Sequence, residues 1–141
     1  MALPFLFIRG GIEMNFIIRE TQPQNITING VEYPAIWNFK AIALMEDFTG
    51  WMHLFTMARF KDGKFFEVKE FIGALYGMLS AAGVVCVDES GKDVLAAAIE
   101  QSIKPSDEVE IAKQVKKIID LQGDQPKEGD SKNVKRSAKK I

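Results

Sequence analysis

At 141 residues, with 47% hydrophobic and 26% charged residues, the chain has the length and composition of one globular domain. A formal net charge of -1 gives no basis for nucleic acid or an anionic membrane as the main partner. A single cysteine, Cys86, excludes an internal disulfide and a cysteine-based zinc cluster.

The apolar opening Met1-Ala2-Leu3-Pro4-Phe5-Leu6-Phe7-Ile8 is too short to span a bilayer and lacks a basic leader or a small-residue cleavage site. Met14, followed by Asn15-Phe16-Ile17-Ile18, reads as a second start, so residues 1–13 are expected to be a leader or upstream extension outside the fold. Phe16–Glu20 is a candidate strand, with a loop over Thr21–Gln24. Asn29-Gly30 then marks a type I′ hairpin, because both central positions of that turn need positive φ. A two-residue turn pairs Ile28 with Val31 and Ile26 with Tyr33 on one face, and Thr27 with Glu32 on the other. Pro34 is expected to end the pairing or to lie on an edge.

From Asn38 the period changes to a helical one. Ala41, Leu44, Met45 and Phe48 fall on one face, with Gly50 as the stop. Trp51, Leu54, Phe55 and Ala58 repeat that spacing and predict a second, short helix. Lys61-Asp62-Gly63-Lys64 is a turn, and its Asp-Gly also permits a hairpin between Met57–Phe60 and Phe65–Val68. A longer helix is predicted over 67–82, with Val68, Phe71, Ile72, Leu75 and Leu79 as its apolar stripe. Gly73, Gly77 and Ala81 form a second row where a neighbouring helix can approach closely.

Val84–Val87 reads as a short strand or a buried connector, with Cys86 as a small hydrophobe. Ser90-x-x-Asp93 resembles a capping box that opens a helix to about Ile103, turning Leu95, Ala98 and Ile99 inward. Ser106 in Pro105-Ser106-Asp107-Glu108 is placed to cap a last helix. Ile111, Val115, Ile118 and Ile119 form its buried stripe, with Lys113, Lys116 and Lys117 outside. Beyond Gln122 the apolar period is lost. From Gly123 there are six Lys/Arg against three Asp/Glu, and no aromatic residue. The expected architecture is therefore α+β but mainly helical: an N-terminal β-hairpin, with Phe16–Glu20 as the option of a third strand, then four to five amphipathic helices. One domain spans 14–122, and 123–141 is a flexible, charged tail.

Little in this chain supports catalysis. His53 is the only histidine, and the carboxylate pairs Glu46-Asp47 and Asp88-Glu89 are sequence neighbours. On a helix such neighbours point about 100° apart, which does not assemble an acid/base dyad. No phosphate-binding glycine motif is present. The basic end, Lys132 to Lys140, lacks the interleaved aromatics that stack on bases. No catalytic, metal or cofactor residue is assigned; an enzyme would need a polar pocket around His53 or Cys86. What stands out is apolar bulk: ten Phe, six Met and two Trp. The group Trp51, Met52, Phe55, Met57 and Phe60 is either core or an exposed surface for another apolar chain.

The stretch Ile26-Thr27-Ile28-Asn29-Gly30-Val31-Glu32-Tyr33-Pro34, followed by Phe39-Lys40-Ala41-Ile42-Ala43-Leu44-Met45-Glu46, resembles the opening of tail assembly chaperones from long-tailed phages of Gram-positive bacteria. The resemblance implies a protein that binds the tape-measure protein in the host cytoplasm while the tail tube polymerises, then leaves before the virion is complete. Its implied partners are the tape-measure protein, the major tail tube protein and further copies of itself; charge and composition separately give no nucleic acid or membrane as main partner, and no cofactor is expected. A longer frameshifted form is also implied, with Lys139-Lys140 marking where a slippery stretch would lie. The alternative is a small adaptor or regulatory domain of a mobile element that binds one folded protein.

Overall fold

The computed structural model describes two strands, β1 (Phe5–Ile8) and β2 (Ile12–Asn15), and then residues 21–123. The fold is α+β and mainly helical. β1 and β2 form an antiparallel pair, Phe5 opposite Asn15 and Ile8 opposite Ile12, and join no strand of the second sheet. The expected boundary between leader and domain at 13/14 thus falls inside a strand. The candidate third strand over Phe16–Glu20, and the charged tail beyond Gly123, lie outside the described residues.

The second hairpin has the register that its turn dictates. β3 (Gln24–Ile28) pairs with β4 (Val31–Ala35), with Ile28 opposite Val31 and Ile26 opposite Tyr33. Asn29 and Gly30 carry φ of 52° and 78°, the conformation a type I′ turn requires. Ile26 and Ile28 are buried and Tyr33 is half-buried, but Val31 on the same face is exposed. A two-residue turn makes Ile28 and Val31 a hydrogen-bonded pair, so by alternation Thr27 and Asn25 of β3, and Glu32 and Pro34 of β4, aim their backbone groups outward. Pro34 has no N–H to offer there. Only Glu32 then presents an amide on the outer edge of β4, a poor template for another strand.

Five helices follow among the described residues. Asn38 caps α1 (Phe39–Thr49), its side-chain oxygen accepting from the Ala41 N–H at 3.0 Å, and Gly50 ends it in the left-handed conformation. α2 (His53–Arg59) is short, and the turn after it closes through two backbone hydrogen bonds between Lys61 and Lys64. The alternative hairpin over Met57–Phe60 and Phe65–Val68 does not form, since Met57 to Arg59 are helical. α3 (Val68–Ala81) is the central helix, and its backbone meets α1 closely. A Cβ on Gly77 would collide with the Ala41 carbonyl, while one on Gly73 would meet Thr49 and Phe48 side chains at 3.1 and 3.2 Å. Pairing Gly77 with the start of α1 and Gly73 with its end makes the two helices antiparallel. The small-residue row therefore does in water what close backbone approach requires anywhere: it removes side chains from the contact.

α4 (Leu95–Ser102) turns Leu95 and Ile99 inward. Ser90 does not cap it. The Ser90 hydroxyl and N–H, with the Lys92 N–H, are hydrogen-bonded to one carboxylate oxygen of Asp88, which closes the preceding turn and lowers the Asp88 pKa. Asp93 instead accepts from the Leu95 N–H at 3.0 Å. Nor does Ser106 cap the last helix: Pro105–Asp107 forms a 3-10 turn that runs straight into α5 (Glu108–Gln122), leaving Ser106 inside the turn.

α5 buries Ile111, Ala112, Val115, Ile118 and Ile119. Two glutamines tie it to the sheet side of the molecule. Gln114 takes both outward groups of Thr27, accepting from its N–H at 2.8 Å and donating to its carbonyl at 3.1 Å. Gln122 accepts from the Trp37 N–H at 2.8 Å and donates to the Gln22 carbonyl at 2.8 Å. The core between hairpin and helices is built on Ile26, Trp37, Met45, Leu75, Met78 and Val115, each large side chain contributing about 1.5–3 kcal/mol through burial.

Candidate partner-binding surface

The five residues singled out from sequence divide into two groups. Met52 and Phe55 are 59% and 64% exposed, and Trp51 is half-buried beside them. Met57 and Phe60 turn inward: Met57 packs on the core, and the Phe60 ring lies 4.3 Å from Phe65, which in turn reaches Phe71 at 6.0 Å. Three large hydrophobic residues outside the original group are also exposed. Leu54 on α2, Phe66 before α3 and Val68 at its start are 60%, 68% and 61% exposed. Val68 is exposed although it stays beside Phe71 and Ile72 of the stripe assigned to it. Periodicity finds Leu54 and Val68 but cannot say which way each side chain points; for Phe66 no local signal exists.

α2 is an inverted amphipathic helix. Its one buried residue is Thr56, while Leu54, Phe55 and Ala58, the apolar face predicted by spacing, are exposed. The reason is a polar network beneath it. The Trp51 indole N–H donates to the Thr56 hydroxyl at 3.1 Å, and Arg59 donates to Glu70 of α3 at 2.8 Å. Glu70 is fully buried and also accepts from the Glu67 N–H at 3.1 Å, satisfying a free donor at the start of α3. Burial by itself would raise the Glu70 pKa, but hydrogen bonds from Thr56 and Arg59, with the Arg59 charge, outweigh it and hold the carboxyl below its ordinary value.

Arg59 is the centre of the surface. Its guanidinium lies 4.8 Å from the Phe66 ring centroid, 5.6 Å from Phe55 and 5.7 Å from Trp51, while the Lys69 ammonium stands 5.4 Å from Trp51. The guanidinium thus gathers aromatic rings that are not fully buried into one cluster on the surface. Val68 also opens the lining of a shallow groove of about 150 Å³ with Phe71, Ile72, Ile99 and Ile103.

His53 and Cys86 are in structural positions. His53 begins α2, with its N–H and Nδ1 each 2.8 Å from one oxygen of Glu46, and those hydrogen bonds lower the Glu46 pKa. Cys86 is half-buried against the core. Among the described residues, no group of three or more His, Cys, Asp or Glu is placed to hold a metal ion, and no helix is long and apolar enough to cross a membrane. Comparison with protein-family models, with curated proteins and with solved structures returns no match.

Proposed function

We propose that the chain is a tail assembly chaperone of a long-tailed phage, which holds the tape-measure protein through reversible apolar contacts while the tail tube is built. The observation that carries this reading is the exposed pair Phe55 and Phe66, gathered with Trp51 around Arg59, with Met52 and Leu54 exposed on the same stretch of chain. Large apolar side chains gathered on one exposed surface mark a site for another chain, and a surface of Met and aromatic residues adapts to varied helical sequences. The hairpin-and-helix opening supplies the identity of the client by resemblance.

Co-expression with the long, helix-rich product expected downstream of this gene tests the reading. The client is expected in the soluble fraction with this chain and in the pellet without it. Equal insolubility in both cases contradicts a chaperone role, and a partner that is a compact folded protein would favour the adaptor alternative.

A further inference from the structure

α2 is joined to the α1–α3 pair by polar clamps at its two ends. At its start, Glu46 of α1 takes the His53 N–H and faces Nδ1 of the same residue; at its end, Arg59 reaches Glu70 of α3. Between the clamps only Thr56 is buried, and Met57 alone adds a half-buried apolar contact with the core. The ties of α2 to the pair run through side chains, in contrast to the close backbone approach of α1 and α3. The Arg59 Nε is itself buried without a hydrogen-bond partner, so the second clamp is incompletely satisfied. Left-handed residues stand on both sides of the helix, at Gly50 and at Asp62-Gly63.

We propose that α2 opens as a unit, a strap whose release leaves the core formed by α1, α3, α4 and α5 intact. Segments with few buried apolar contacts open at lower free energy than the core they lie on. Opening would carry Met52, Leu54 and Phe55 away from the body as one ridge, letting it follow a long partner. This goes beyond the binding role proposed above and stands or falls without any client.

Amide hydrogen exchange on the full chain, read peptide by peptide by mass spectrometry, tests it. Peptides over His53–Arg59 are expected to exchange roughly a hundredfold faster than those over Leu75–Leu79, with little dependence on low denaturant. Glu70→Gln is expected to speed α2 exchange roughly tenfold further while the Leu75–Leu79 rate holds. Exchange of α2 at the same rate as α1 and α3, with the same denaturant dependence, overturns the proposal. So does a Glu70→Gln variant in which every helix accelerates in parallel, or in which α2 does not change. If Glu70→Gln fails to fold, Glu46→Gln opens the other clamp and is read by the same criteria.

Discussion

Gly77 and Gly73 lie on the same row of α3, yet the structure predicts different consequences for filling them. A methyl at Gly77 meets the Ala41 carbonyl, a backbone atom that moves only if the helices separate; one at Gly73 meets the ends of Thr49 and Phe48, which can shift. Gly77→Ala is therefore expected to cost about 1–3 kcal/mol in urea denaturation, and Gly73→Ala clearly less. Equal losses would mean that the helices are not in this register. The carboxylates give a second prediction. Glu46 and Glu70 both titrate below the ordinary carboxylate value in the folded protein. The stability they contribute is fully present above the unfolded-state pKa and is lost as pH falls through that value toward the lowered folded ones. Thermal midpoints should fall on acidification in this range, and Glu46→Gln should flatten part of that fall. An unchanged acid limb in the variant would contradict the Glu46–His53 interaction.

At the scale of elements, the parts that sequence makes legible are those set by local chemistry. Asn29-Gly30 fixes a turn and hence a register, Asn38 and Gly50 bound α1, and the Gly73/Gly77 row identifies a close helix contact. The parts it hides depend on competition with distant groups. Ser90 looks like a cap, but its hydroxyl is taken by Asp88; Ser106 looks like one too, but a 3-10 turn continues through it. The orientation of α2 is the clearest case. Its spacing defines an apolar face, but a buried glutamate eleven residues away draws Arg59 inward and leaves that face to solvent. The Glu67-x-x-Glu70 spacing hints at a helix start, but nothing local says that Glu70 is buried. Gln114 is equally silent in sequence, although it closes the outer edge of β3. Gln114→Ala is expected to cost about 1–2 kcal/mol and to raise hydrogen exchange at Thr27. No change in Thr27 protection would show that the glutamine does not cover that edge.

The whole molecule combines an α1–α3–α5 core with an exposed aromatic and aliphatic ridge on a helix held by charge. An exposed apolar surface adds little to the stability of a lone domain; under the proposed function it is the contact surface for another chain. Phe55→Glu removes apolar surface outside the core; because Arg59 stands 5.6 Å from this ring, its effect on folding, expected below about 1 kcal/mol, is checked by urea denaturation alongside. The most direct measurement compares how much co-expressed tape-measure protein stays soluble with the unaltered chain, with Phe55→Glu, and with a control substitution at an exposed position of α5, Lys117→Glu. The client should remain soluble with the unaltered chain and with Lys117→Glu, and should be lost to the pellet with Phe55→Glu. A Phe55→Glu chain that keeps its client as soluble as the unaltered one would contradict the binding role of the ridge.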